Sequence, residues 1–301
     1  MKTKRTLVRG LATGGLLLVT GCDEPLSHVE LIDKTRVLAA KVEVAGDATR
    51  AAPLPGEDLV VRWLVVAPEP DPALAYAFTA CVAADSAADL ASCQGDALAT
   101  SASLEPVAGV PSIAFQAPAD ATGSERLAVL GAVCPASAGL LEESGLACSD
   151  GSSAQAVSLD FTMDDGSHPK TNPALTSVSL DGGELLPETA ETSDCTLLPS
   201  VPRGGHHRVG LELDPNSRDS VVPQNPADPT RESLLISYFV TSGELDHAYS
   251  AIDSSAASTS GSVIWTAPVP RDAPLLARLF FVVRDGRGGS DFTERRVCVT
   301  P

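Results

Sequence analysis

The sequence predicts an all-β protein, built as two β-sandwiches in tandem behind an export leader. Three observations predict it. Short apolar runs alternate with period two, as in Leu59, Val61, Trp63 and Val65 and again in Leu234, Ile236, Tyr238 and Val240, the pattern of strands buried on one face. Clusters of Pro, Gly, Asp and Ser punctuate the runs, and no long helical period separates them. Pieces of the first half also recur, in the same order, in the second.

The leader comes first. Lys2, Lys4, Arg5 and Arg9 form a basic head, residues 11–18 are apolar or small, and Val19-Thr20-Gly21-Cys22 closes the run. The apolar stretch is too short to cross a bilayer, which takes about 20 mostly apolar residues. Its order is that of a secretory signal. Val19-Thr20-Gly21-Cys22 resembles the lipobox of bacterial lipoproteins, a resemblance confined to the leader. It implies cleavage before Cys22, a diacylglyceryl group on the Cys22 thiol and an acylated new amino terminus. Residues 1–21 would be the signal peptide and 22–32 a lipidated tether. Two or more acyl chains anchor stably, at about 0.8 kcal/mol per buried methylene. Asp23 resembles a residue that retains lipoproteins in the inner membrane of enteric bacteria. Other groups follow other rules, so inner and outer membrane both stay open. The implied location is the bacterial cell envelope, periplasmic or on the cell surface.

The body divides into residues 33–164 and 173–301, joined by the polar, turn-rich 165–172, with sizes usual for single domains. Val42-Glu43-Val44 matches Val178-Ser179-Leu180. Residues 57–65 match 232–240, which sets Trp63 against Tyr238. Residues 112–118 match 262–268, which sets Phe115 against Trp265; Leu127, Val129 and Val133 then fall on Ala277, Leu279 and Val283. Val157, Leu159, Phe161 and Met163 alternate at the end of the first copy. In the second copy the apolar run 279–283 leads into Arg284-Asp285-Gly286-Arg287-Gly288-Gly289-Ser290 and a last strand over 292–299. The turn glycines tolerate positive φ. This closing sequence resembles the final strands of bacterial immunoglobulin-like domains. It implies an immunoglobulin-like sandwich for each copy, with ligand contacts carried by loops; the candidates are 83–109, 135–153 and 214–231.

Apart from Cys22, six cysteines remain: Cys81, Cys93, Cys134, Cys148, Cys195 and Cys298. An even number in an exported chain points to disulfides, with about fifteen possible pairings. Spacing favours Cys81 with Cys93 and Cys134 with Cys148, each closing a short polar segment, which leaves Cys195 for Cys298. A zinc site would need a C-x-x-C pair or a Cys/His cluster, and neither occurs.

The chain carries 21 basic and 39 acidic residues, a net −18. Four of the basic residues lie in the leader, so the body stands at 17 against 39, or −22. That charge argues against nucleic acid as a partner, because neutralising phosphates takes a basic face. It also disfavours direct adsorption to anionic lipid. No G-x-S-x-G elbow, H-E-x-x-H helix, P-loop or Rossmann glycine pattern occurs, so no catalytic or cofactor-binding residues are assigned. His206-His207 is the one adjacent histidine pair; on a strand its members point to opposite faces, in a Gly-Gly-led loop they could share a metal, and a solvated loop is the expectation. Asp164-Asp165 and Asp285 with Asp291 are acidic enough for calcium but lack a D-x-D-x-D loop, so they are expected as solvated turn residues. Asp246-His247 could join a serine in a triad only through tertiary geometry. Tyr76, Phe78, Tyr249 and Phe292 have no assigned place in the core.

The expectation is a non-enzymatic envelope lipoprotein, anchored by lipid, that serves as a scaffold, an adhesin or an accessory subunit with a protein or glycan partner. Two alternatives stand beside it: a carbohydrate- or peptide-binding subunit serving an enzyme or transporter, and a hydrolase whose site carries no local motif.

Overall fold

A computed structural model describes residues 28–84, 92–121, 125–142, 145–166, 170–187, 195–220, 231–269 and 273–301. Cys22 and the leader lie outside the described residues. The protein is all-β, with a single 3-10 turn at Pro215–Ser217 among those residues. The first sandwich is built from β1 (Arg36–Val44), β2 (Asp58–Val66), β3 (Leu74–Ala83), β4 (Cys93–Val107), β5 (Ser112–Gln116), β6 (Arg126–Pro135) and β9 (Gln155–Thr162), with a hairpin of β7 (Gly139–Glu142) and β8 (Gly145–Cys148) inserted before the last strand. Its sheets run β1-β2-β5 and β4-β3-β6-β9.

The second sandwich has β10 (Leu175–Leu180), β11 (Gly183–Glu184), β12 (Ser200–Pro202), β13 (His206–Leu213), β14 (Leu234–Val240), β15 (Glu244–Leu245), β16 (Tyr249–Ile252), β17 (Ser260–Thr266), β18 (Leu275–Arg284) and β19 (Ser290–Thr300). Its sheets run β11-β10-β13-β17-β15 and β12-β19-β18-β14-β16. The pairings are antiparallel except β12 with β19. Both sandwiches share one plan, in which strands one, two and five of the plan face strands four, three, six and seven, an immunoglobulin-like order.

Alternation decides which residues fill each core. Leu59, Val61 and Trp63 join Phe115, Leu127 and Phe161 in the first. Ile236, Tyr238 and Val240 join Trp265, Leu279 and Phe281 in the second. Residues 42–44 and 178–180 do lie on equivalent strands, as do 112–116 and 262–266. The match of 57–65 with 232–240 is corrected. Strand β2 sits between β1 and β5, whereas β14 sits between β16 and β18 and so answers to β3. Every core strand carries the same period-two pattern, so alternation alone cannot tell neighbours apart. The true counterpart of β2 is β13, whose alternation begins on a histidine, His207, and is hidden by it. The segment 83–109, expected as a contact loop, holds the long edge strand β4.

The two sandwiches are fused along a buried seam. On β18 the odd residues 277–283 face the second core, while Phe280 and Val282 face outward. They meet Ile32, Leu38, Ala39 and Val66, flanked by Leu64, Phe239 and Phe292. Arg278 lies in the same outward row and is 3% exposed. Its guanidinium grips Glu294 through Nε (2.7 Å) and Nη2 (3.0 Å). Nη1 donates to the carbonyls of Ala67 (2.9 Å) and Glu69 (2.7 Å) across the seam, and the group lies 4.8 Å from the Phe280 ring centre. Burial pushes the Glu294 carboxyl pKa up, but hydrogen bonds and charge from Arg278 and Arg296 outweigh it and hold the value below the usual range.

Strand β1 is the exposed edge of its sheet, a feature proteins must cover. Here side chains of the second half cap its carbonyls on alternate residues: Arg284 on Leu38, Ser290 on Ala40, and Asn172 on Val42. The joint is equally occupied, since Ala51 N–H donates to Lys170 O (2.8 Å) and Asn172 N–H to Thr49 O (2.6 Å). Residues 30–32, expected in the tether, pack as part of the body. Val240 N–H donates to Glu30 O (2.9 Å), Ile32 N–H donates to Val240 O (2.8 Å), and Ile32 is buried in the seam.

Three disulfides join Cys81 to Cys93, Cys134 to Cys148 and Cys195 to Cys298. The first two staple neighbouring strands, while the third closes 103 residues and ties the approach to β12 onto β19. Removing the third by a double Cys→Ser change is expected to cost about 4–5 kcal/mol, against about 3 kcal/mol for either short one, since the entropy of the unfolded chain scales with loop length. Urea unfolding of the three double variants checks the order. Arg278→Ala strips the seam of its guanidinium and leaves two carbonyls and half of Glu294 unpaired in a dry interface. Its expected cost is about 3 kcal/mol or more, seen as a lower urea midpoint.

Candidate functional site

The residues singled out by sequence separate into structural groups. His206 is exposed on β13 with Nδ1 2.9 Å from Thr266 Oγ1. His207 is buried with Nδ1 2.7 Å from Asp181 Oδ2, and its ring lies 6.0 Å from that of Trp265. The two point to opposite faces and share no ligand. Of the turn aspartates expected to be solvated, Asp165 is exposed and Asp291 half-buried, but Asp164 and Asp285 are enclosed. Asp164 and Asp285 are 3% and 6% exposed. Asp164 accepts from Gly166 N–H (2.8 Å), Asp285 from the N–H groups of Arg287 and Gly289. Asp291 pairs with Lys41 (3.0 Å) and accepts from Leu175 N–H. Each carboxylate holds a turn or the seam, and among the described residues no set of three acids, histidines or cysteines is gathered for a metal ion.

Asp246 and His247 do meet a serine. His247 Nδ1 lies 2.8 Å from Asp246 Oδ1, and Nε2 lies 3.2 Å from Ser250 Oγ. The distances suit a triad, but Nε2 is contested. The Ser262 carbonyl lies 3.1 Å from it, and a carbonyl only accepts, so this contact calls for an Nε2–H, the protonation that disables a general base. Tyr238 OH donates to the same serine oxygen (3.0 Å). The cluster clasps β14 and β16 to β17 where the two sheets of the sandwich approach. Of the unassigned aromatics, Phe78 is in the first core with Tyr76 stacked on it at 5.0 Å. Phe292 packs in the seam, and Tyr249 is 65% exposed.

Beside the joint lies a buried acid that sequence reading missed. Glu232 is 4% exposed. Its Oε1 accepts from Asp219 N–H (2.9 Å), while Oε2 finds no hydrogen-bond donor and has Arg287 Nη1 only at 3.6 Å. Burial, with help from the charges of Asp285 and Asp219, raises its pKa to about 7, against the opposing pull of the Asp219 N–H and Arg287. Nothing local marks it, because its neighbours come from distant turns.

A concavity opens where the sandwiches meet. Its walls are Val37–Ala40 of β1, residues 156–159 of β9, and Arg284, Gly286 and residues 288–290 of the following turn, with Trp63 among its lining residues; its volume is about 370 Å³. These strands are the edges of the two sheets of the first sandwich, so the groove is the open side of that sandwich, closed over by a turn of the second. A bulge in β1 between Val37 and Ala39 frees the Leu38 carbonyl, which Arg284 takes. Gly289 permits the turn to come this close, since a Cβ there would lie 2.6 Å from Thr171 O. The two tryptophans differ in one respect: Trp265 Nε1 donates to Ser242 O (3.1 Å), whereas Trp63 Nε1 has no partner.

No family model matches the chain, and no curated protein matches it. Among solved structures, it is similar to the native conformation of E. coli alpha-2-macroglobulin at 12% identity, with a TM-score of 0.25, over 87% of this chain and 16% of that one. The chain thus spans about a sixth of that protein, and a likeness at this level carries no argument about function.

The buried acid sets a pH dependence. The folded pKa of Glu232 lies above its ordinary 4.5, so its stabilising share is fully present below about pH 4.5 and is lost as the pH climbs to about 7. At about 1.4 kcal/mol per unit, the loss is roughly 3 kcal/mol. Glu232→Gln keeps an acceptor for Asp219 N–H and removes the ionisation. The variant is expected to gain on wild type between pH 5 and pH 8, read from urea unfolding at both values.

Proposed function

We propose that the protein is a lipid-anchored, non-enzymatic scaffold of the bacterial cell envelope, held to a membrane through Cys22 and carrying two immunoglobulin-like sandwiches as one rigid body. The observation that supports this most is the seam. Phe280, Val282 and Ile32 are buried in it, and Arg278 crosses it to two carbonyls, so the domains are held at one angle rather than strung on a linker. A fixed two-domain body suits adhesion or service as an accessory subunit of a larger envelope assembly. With a net charge of −22 on the body, attachment to anionic lipid would fall to the acyl chains and not to the protein surface.

The anchor would enter the body at the seam. Glu30 is already hydrogen-bonded to β14, so the eight residues from Cys22 allow at most about 25–30 Å. The body would therefore stand close to the bilayer. A second reading, a binding subunit serving an enzyme or transporter, draws support from the groove.

Cells expressing the protein and fed an alkyne-tagged palmitate are expected to label it, and the amino-terminal peptide is expected to begin at an acylated Cys22. Cys22→Ser should abolish both the label and the membrane fraction. An unlabelled wild-type protein with an intact leader would refute the anchor.

A further inference from the structure

We propose that the groove between the sandwiches is a carboxylate-binding site, and that its ligand is the free C-terminal end of a short peptide. The inference does not depend on the lipid anchor. Its first support is Arg284. Arg36, Arg50, Arg62, Arg126 and Arg278 each meet a carboxylate. Arg218 and Arg295 do not, but each donates to two or more carbonyl oxygens. Arg284 has neither arrangement: among the described residues its side chain makes one bond, through Nη2 to Leu38 O. Burial pulls its pKa down with no acid to oppose the shift. The neighbouring Asp285 is turned away onto the amides of its own turn. What remains is a half-buried planar fork with donors left free, the geometry that matches a carboxylate.

The second support is independent. Trp63 is 3% exposed, lines the same groove, and its indole N–H has no acceptor. Buried indole N–H groups usually find a partner, and one left without carries a free-energy penalty. No acid lines the groove to repel an anion, and Ser158 adds a hydroxyl at its rim. Small apolar walls with a few placed polar groups, in a space of about 370 Å³, fit a small ligand.

The peptide assignment comes from the strands. The carbonyls of β1 facing this side are capped at Leu38, Ala40 and Val42. Strand β9 pairs only with β6, and its other edge runs along the groove. An extended segment laid against β9 would find backbone partners there, with its terminal carboxylate at Arg284. The alanines and glycines of the walls leave room for main chain.

The test is a calorimetric titration of the mature, detergent-solubilised protein with acetyl-trialanine as the free acid and as the amide. The acid is expected to saturate and to shift tryptophan emission, and the amide to bind at least about tenfold more weakly. Arg284→Gln should abolish the difference between them. Ser158→Leu changes only an exposed position of β9 and is expected to block both peptides with the melting temperature unchanged; it decides the matter if Arg284→Gln folds poorly. Equal binding of acid and amide, no saturable heat at millimolar peptide, or full binding by Ser158→Leu would overturn the site. Displacement by acetate at concentrations comparable to the peptide would overturn the peptide assignment.

Discussion

The structure depends on the double burial of β18. A strand at the middle of a half-buried sheet shows one apolar face and one polar face, but here both faces are apolar and both are covered. Its inner row belongs to the second core. Its outer row, Phe280 and Val282, leaves water only because β1 and β2 of the first sandwich lie across it. The stability of either sandwich is therefore tied to the other, and the polar groups of the seam have to be satisfied across it. Arg278 does this by facing Glu294 on its own sheet and two carbonyls of the opposite domain. Apolar faces alone would let two sheets slide over each other; directional bonds to named carbonyls hold one register.

How much of this is legible in the sequence varies with the range of the interaction. Strand identity follows from local alternation, and so the inward rows of β2, β14 and β9 can be read directly. The run 279–283 can be read as a strand, but its continuous apolar character, which marks burial on two faces, has no partner visible along the chain. Strand order is less accessible still: 57–65 resembles 232–240 because both are core strands, although one is second in the plan and the other third. The aspartates of the turns illustrate a different limit. Asx-type turns look the same whether water or a neighbouring domain lies over them, and only packing shows that Asp164 and Asp285 are enclosed.

The candidate groove lies beyond local pattern altogether. Trp63 and Arg284 are far apart in sequence and come from different sandwiches. A tryptophan in a core strand looks like core, and an arginine at the start of a turn looks like surface. What distinguishes them is what they fail to touch, a property of the assembled molecule. The Asp246–His247–Ser250 cluster teaches the converse. There the residue types and two distances suit catalysis, and a third contact, from the Ser262 carbonyl, changes the meaning of the other two.

The pairing of residues 30–32 with Val240 has a mechanical consequence. The bridge is parallel, and it enters the molecule between its halves. Tension applied along the amino-terminal side would load these hydrogen bonds together, in shear, instead of peeling a strand from one free end. The load would then be shared by both sandwiches, and the first place to yield would be the short clip on β14, leaving the disulfide-bearing sheets intact.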